Sequence, residues 1–140
     1  MPKLESDTLN VGLLGCGVVG SEVARLLAES RIDFKERSGA NLVISKIAVR
    51  DINADRPGID KKLFTTDAES IVNDPDIDVV IELMGGVEPA HALLLKALQN
   101  GKAVITANKA LLAKHGEELE IASDDADVDF YYEAAVAGAI

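Results

Sequence analysis

The sequence predicts a doubly wound α/β domain on a mostly parallel sheet, and three observations carry that prediction. Short apolar runs, several of them β-branched, alternate with amphipathic stretches of helical period along nearly the whole chain. The first run, LNVGLLG at 9–15, passes into a helical pattern through a glycine-rich corner, GCGVVG at 15–20. With 140 residues, 48% of them hydrophobic and 27% charged, the chain has the size and make-up of one domain with a real core.

Each element follows from its local pattern. Residues 9–15 read as a buried strand, and a helix follows from Val18 to Ser30, with Val19, Val23, Leu26 and Leu27 on one apolar face. KERSGAN at 35–41 is a polar loop, and LVISKIAVR at 42–50 is a second strand. The polar connection that follows carries Pro57 and Gly58 as breakers and leads to a short third strand in LFT. Thr66 with Glu69 three residues on has the form of a capping box, opening a short helix through Val72. IDVVIELMGG at 77–86 is the clearest buried strand. Pro89 suits the first turn of the next helix, which Ala92, Leu95, Ala97 and Leu98 help fill and Gly101 ends. KAVITAN at 102–108 is another strand. A helix runs from Lys109 to Ala122, with a break expected at Gly116, and VDFYYEAAV at 128–136 is a last strand. With right-handed crossovers this order gives a Rossmann-type sheet covered on both faces. Ligands of such sheets lie beyond the carboxyl ends of the strands, so the segments after Leu14, Val49, Leu83, Ile105 and Tyr132 should line one edge.

Charge and composition narrow the partners. A formal net charge of −10 disfavours nucleic acid and anionic membrane surfaces as partners. The single cysteine, Cys16, rules out an intrachain disulfide. MPKLESDTLN carries no apolar signal region, and no run approaches the roughly 18 apolar residues of a membrane span, so a cytoplasmic protein is expected. Residues 1–140 read as one nucleotide-binding domain. The final run, YYEAAVAGAI, is apolar and glycine-bearing where termini are usually polar, which suggests a second domain beyond it.

The glycines of Gly15-Cys16-Gly17-Val18-Val19-Gly20 match GxGxxG in the context that gives the motif meaning, after a strand and at the opening of a helix. Gly15 permits the tight turn, Gly17 lets the backbone approach a pyrophosphate, and Gly20 lets the helix pack on the strand. Arg50 and Asp51 follow the second strand, where an adenosine ribose would lie. An arginine there suits the 2′-phosphate of NADP and an aspartate the 2′-hydroxyl of NAD, so the reading leans to NADP and leaves NAD open. Gly85 and Gly86 would let their loop pass close to the nicotinamide ribose. Lys109 falls just past the fifth strand, in the first turn of a helix whose dipole disfavours its charge, and there it can hold a substrate oxygen or help move a proton. Glu82 interrupts an apolar strand at a cost unless it is paired, and has no assigned role. Lys102 and Lys114 read as solvated. His91 and His115 have no ligand partner at useful spacing. Glu133 is the one charge in an apolar, carbonyl-rich run, which is the composition of a hard-cation site and equally of a plain strand end.

Four stretches, GLLGCGVVGSEVARLL, VVIELMGGVEPA, GKAVITANKALLAKHG and YYEAAVAGAI, together resemble the N-terminal nucleotide-binding domain of homoserine dehydrogenase. The resemblance covers nearly the whole chain, and TANKALLA followed by YEAAVAGAI is far more specific than any GxGxxG. It implies NAD(P)H-dependent reduction of L-aspartate 4-semialdehyde to L-homoserine, on the route to threonine, isoleucine and methionine. It implies a phosphate loop of Gly15, Gly17, Val18, Val19 and Gly20, and a 2′-phosphate contact from Arg50. Gly85 and Gly86 would border the nicotinamide, with Lys109 beside both nicotinamide and substrate. It also implies a monovalent-cation site, usually sodium, from Glu133 and the backbone carbonyls of Val136, Gly138 and Ile140. The family continues past AGAI into a substrate-binding and dimerisation region, so a full-length homo-oligomer is implied and this stretch alone should bind nucleotide without competent catalysis. The rivals are another NAD(P)-dependent dehydrogenase of the same fold and a non-catalytic NAD(P)-sensing regulatory domain.

Overall fold

The computed structural model describes residues 8–15 and 41–132. They form a six-stranded, all-parallel sheet from β1 (Thr8–Leu14), β2 (Asn41–Ala48), β3 (Phe64–Thr65), β4 (Val79–Glu82), β5 (Ala103–Thr106) and β6 (Phe130–Tyr132). Their spatial order is β3-β2-β1-β4-β5-β6. The chain therefore builds outward from β1 to one edge, returns, and builds outward to the other, as a doubly wound sheet must. The helices are α1 (Ala68–Val72), α2 (Ala90–Gln99) and α3 (Lys109–Ala126), and a 3-10 turn at Lys61–Leu63 leads into β3. The helix expected over 18–30, and the continuation of the last strand over 133–136, lie outside the described residues.

Side-chain alternation divides the core. Leu14, Val80 and Val104 point to the face covered by α1, α2 and α3, where they meet Ile71, Val72, Leu93, Leu94, Ala97, Leu98, Leu111 and Leu119. Val11, Leu13, Ile47, Val49, Val79 and Ile81 form the opposite cluster, with Leu42 and Ile44 packed against it. On β2 the residues of that cluster change from even to odd numbers, because Val11 pairs with Ile44 but Gly12 with Lys46. Ser45 is the extra residue of this bulge, which resets the alternation so that both ends of β2 keep their apolar side chains on one face. Ser45 Oγ donates to Asn10 Oδ1 at 3.1 Å.

Gly12 is buried where β1 passes under α1, and a Cβ there would stand 2.4 Å from Ile71 Cγ2. A β-branched isoleucine has little freedom to yield. Gly12→Leu should therefore displace α1 and lower stability by about 1–3 kcal/mol in urea denaturation. Unchanged stability would mean that α1 shifts without loss.

The ends of the helices depart from the sequence pattern in two places. Asp67, not Thr66, caps α1, its side chain accepting from Ser70 N at 3.2 Å. Both residue types cap well, and the helix begins one residue later than the box spacing implies. Helix α3 runs unbroken through Gly116 and on to Ala126, where Asp127 closes it in the left-handed conformation at φ 56°. One interior glycine costs about 1 kcal/mol, which a helix anchored by buried Leu111 and Leu119 absorbs.

Lys102 is buried rather than solvated. Its Nζ donates to the carbonyls of Asp74 and Ile77, the latter at 2.9 Å, tying the start of β5 to the turn before β4. Burial pushes its ammonium below the usual lysine pKa, against the opposing pull of Asp74, Asp78 and Asp76. The amino edge of β4 is held to β1 as well: Asn10 N donates to Asp78 Oδ2 at 2.8 Å, Asp78 N to Asn10 O at 2.8 Å, and Asn10 Nδ2 to Asp76 O at 3.0 Å.

Candidate functional site

The strands end flush. Ala48, Leu14, Glu82, Thr106 and Tyr132 are successive register partners across the sheet, so the loops after them share one edge. The winding reverses between β1 and β4, which makes their carboxyl ends the point where a ligand crevice opens. Gly15 stands there with φ +100°, its N–H donating to Ala48 O at 2.9 Å. A Cβ at Gly15 would lie 3.1 Å from both the carbonyl carbon and oxygen of Leu83. Conformation and space thus both demand glycine where β1 turns past the end of β4. Gly17, Val18, Val19 and Gly20 lie outside the described residues, as do Cys16 and the expected cation ligands Glu133, Val136, Gly138 and Ile140.

Arg50 is exposed just past β2, and its guanidinium makes no hydrogen bond or ion pair with another described residue. Asp51 Oδ1, by contrast, accepts from Asn53 N at 2.9 Å and so helps shape its own loop. Arg56 orders that loop further. Its guanidinium donates to Asp51 O at 2.8 Å and lies over the Phe64 ring at 5.0 Å from the centroid.

Glu82 is the organising group of the edge, and sequence reading left it without a role. It is 2% exposed. Its Oε2 accepts from Met84 N at 2.8 Å and Gly85 N at 2.9 Å, while its Oε1 accepts from Thr106 Oγ1 at 2.6 Å. Thr106 Oγ1 in turn accepts from Asn108 N at 3.1 Å. Asn108 caps α3, its Oδ1 accepting from Leu111 N at 3.1 Å, and its Nδ2 donates to Gly86 O at 2.6 Å and to Glu82 Oε2 at 3.4 Å. The loop after β4 and the start of α3 are therefore fastened to one buried carboxylate. Gly85 and Gly86 adopt φ +75° and +73°, and added Cβ atoms there would meet nothing within 4 Å. That loop presents bare, open backbone to the crevice. Lys109 follows Asn108 directly as the exposed first residue of α3, with the Gly86 carbonyl held by its neighbour. The signal for Glu82 was its cost in an apolar strand. Its partners Thr106 and Asn108 emerge only once β4 and β5 are in register.

His91 and His115 do have partners, contrary to the expectation from spacing. Packing of α2 on α3 stacks their rings at 3.6 Å between centroids and 7° between planes. His91 Nδ1 lies 2.7 Å from Glu88 Oε2, and Nε2 is bonded to Glu118 Oε1. Burial works against a charged His91, but the hydrogen bonds from Glu88 and Glu118 outweigh it and raise its pKa above the usual histidine value. The same contact with His91 lowers the Glu88 carboxyl. Among the described residues, no helix is long and apolar enough to cross a membrane.

Comparison with known proteins converges on one group. The model of the family described as homoserine dehydrogenase, NAD binding domain, matches residues 15–133. The chain is 50% identical over 136 residues to a homoserine dehydrogenase of Mycobacterium bovis, covering 97% of this chain and 31% of that protein. It is 46% identical over 138 residues to that of Corynebacterium glutamicum, covering 99% of this chain and again 31% of the relative. A crystal structure of S. aureus homoserine dehydrogenase at pH 6.5 superposes with a TM-score of 0.82 at 40% identity, over 92% of this chain and 33% of that one. A hyperthermophilic archaeal homoserine dehydrogenase in complex with NADPH shares the fold, with a TM-score of 0.69 at 22% identity over 91% of this chain and 44% of that one. The chain thus spans about a third of the length of the curated relatives it matches.

Proposed function

Because the chain belongs to the homoserine dehydrogenase NAD-binding family, we propose that it binds NAD(P), with NADP preferred, as the nucleotide-holding part of an enzyme reducing L-aspartate 4-semialdehyde to L-homoserine. The observation that carries this reading is the brace at the carboxyl edge. Glu82, Thr106 and Asn108 hold the open Gly85–Gly86 backbone and the Lys109 end of α3 together, beside the switch point of the sheet.

The residues present fit such a cofactor. Gly15 brings the end of β1 to the crevice without a side chain in the way, and Gly85 and Gly86 leave room for a ribose and nicotinamide. Bound nicotinamide supplies the hydride of the reduction. Lys109 carries the complementary task. Its ammonium, held at the start of α3, orients the aldehyde oxygen, stabilises the negative charge that develops there, and helps bring the proton that completes the hydroxyl. Gly17, Val18, Val19 and Gly20 complete the phosphate loop in this reading. Glu133 with the carbonyls of Val136, Gly138 and Ile140 holds a monovalent cation, sodium in the first instance. The full-length protein acts as a cytoplasmic homo-oligomer, and its substrate and proton-transfer groups beyond Lys109 belong to parts outside this chain.

NADP is favoured over NAD by the contrast at the tip of β2. Asp51 has one carboxylate oxygen engaged by its own loop, whereas the Arg50 guanidinium is available to a phosphate. Calorimetric titration with NADP⁺, NAD⁺ and ADP-ribose tests this. Arg50→Ala should weaken NADP⁺ binding by about 10–100-fold, the equivalent of a charged hydrogen-bond pair, and leave NAD⁺ and ADP-ribose nearly unchanged. Equal losses for NADP⁺ and NAD⁺ would remove Arg50 from the 2′-phosphate. Absence of binding by all three ligands to the full-length protein would remove the cofactor reading itself.

A further inference from the structure

On the reading that Lys109 serves the reacting oxygen, we propose that Asn108 is the residue that positions it, by tying the start of α3 to the Gly85–Gly86 backbone. Every polar group of Asn108 has a partner. Its N–H donates to Thr106 Oγ1 at 3.1 Å and its carbonyl accepts from Leu112 N at 3.0 Å. Its Oδ1 accepts from Leu111 N at 3.1 Å, which is the cap of α3. Its Nδ2 donates to Gly86 O at 2.6 Å and to Glu82 Oε2 at 3.4 Å. A helix cap needs only the side-chain oxygen, and serine, threonine or aspartate supplies one as well. Among these good capping residues, asparagine alone carries an NH₂ group beside its acceptor. That group is surplus to the cap, and here it is spent on the loop after β4. The partners also fix the amide: turned over, it would set Nδ2 against the Leu111 N–H and Oδ1 against Gly86 O and the Glu82 carboxylate.

Lys109 is the next residue, its Cα about 3.8 Å from that of Asn108 across one peptide. One short side chain therefore sets the spacing between the backbone that would border the nicotinamide and the residue that carries the ammonium. The loop has anchors of its own, since Glu82 Oε2 also accepts from Met84 N and Gly85 N. Without the Asn108 amide the loop keeps those bonds, and α3 keeps its cap if the new residue can supply one. What is lost is the link between the two. A displacement of about 1 Å at a reacting centre can cost on the order of 10²-fold in rate, so such a link matters to the chemistry more than to the fold.

Steady-state kinetics and NADP⁺ calorimetry on the full-length protein test this with Asn108→Ser and Asn108→Asp. Both variants retain a capping oxygen, and neither can donate an N–H to Gly86 O. Asn108→Ser should lower kcat by about 10–100-fold while NADP⁺ affinity and the urea midpoint stay close to wild type. Asn108→Asp should lower kcat further, because its carboxylate would face that of Glu82 and the Gly86 carbonyl. In the Lys109→Met background Asn108→Ser should cost nothing more, since a residue that acts through Lys109 has nothing left to position. The proposal is overturned if the serine variant keeps the wild-type kcat, if aspartate is as mild as serine, as a cap alone would have it, or if the losses from Asn108→Ser and Lys109→Met multiply. It is overturned as well if the urea midpoint of the serine variant falls together with its kcat, which would make Asn108 a structural residue. A wild-type kcat in Lys109→Met would remove the role of Lys109 and this one with it. A loss in Lys109→Met with none in Asn108→Ser would remove this one alone.

Discussion

Glu82→Leu should lower the stability of the domain by about 3 kcal/mol. The substitution keeps volume and suits the apolar strand, so a scale of hydrophobicity alone predicts a gain. The hydrogen bonds decide otherwise. Met84 N–H, Gly85 N–H and the Thr106 hydroxyl all lose their acceptor; the buried Thr106 hydroxyl costs about 1–3 kcal/mol as an orphan, and the half-buried Met84 and exposed Gly85 amides, which water can reach, add less. Glu82→Gln should cost less, because one amide oxygen still accepts while the NH₂ group faces a donor. Urea denaturation of the two variants checks the ranking, and nucleotide titration checks its consequence, since the Gly85–Gly86 loop loses its anchor in the same step. A loss below about 1 kcal/mol for the leucine variant would mean that water replaces the carboxylate and that the brace is ornamental.

Lys109→Met should reduce kcat of the full-length protein by about 10²–10⁴-fold, the range of a positioned proton-transfer or charge-stabilising group. NADP⁺ affinity should change little, because the proposed role lies at the reacting oxygen. Stability should move by no more than about 1 kcal/mol, since the residue is exposed and its charge opposes the dipole of α3. Lys109→Arg keeps the charge but not the compact ammonium, so it should restore only part of the rate. A methionine variant with kcat near that of the wild type would take Lys109 out of the chemistry. A variant that loses NADP⁺ binding and kcat together would make it a cofactor ligand instead.

The order of strands and helices was legible because buried parallel strands leave continuous apolar runs, as in IDVVIELMGG, and helices leave a 3.6-residue period. The helix ends were less legible. At Thr66 and Asp67 two good caps stand side by side, and tertiary packing picks one. At Gly116 the local cost of a glycine is real, but long-range burial of Leu111 and Leu119 exceeds it. Gly15, Gly85, Gly86 and Lys109 were singled out because each falls just past a strand, where the fold class says to look, and the structure sets them along that edge. Glu82 was seen as an anomaly and no more, since its partners come from β5 and the start of α3. Lys102 and the His91–His115 pair were misread for the same reason. Spacing along the chain says nothing about Ile77 O meeting an ammonium, or about two rings stacking from different helices.

The clasp of Asn10 on Asp78 has a meaning in time as well as in space. It joins residues 68 apart in the chain, whereas β4, α2, β5 and α3 each pack on near neighbours in sequence. The second half of the sheet can gather from local contacts, but β1 joins it only across a longer loop, whose closure costs entropy. Joining β1 to β4 also completes the edge on which Gly15 meets Leu83. The crevice is therefore absent from a half-assembled chain. It exists only once β1 and β4 have joined, so a nucleotide that binds there would favour the assembled state.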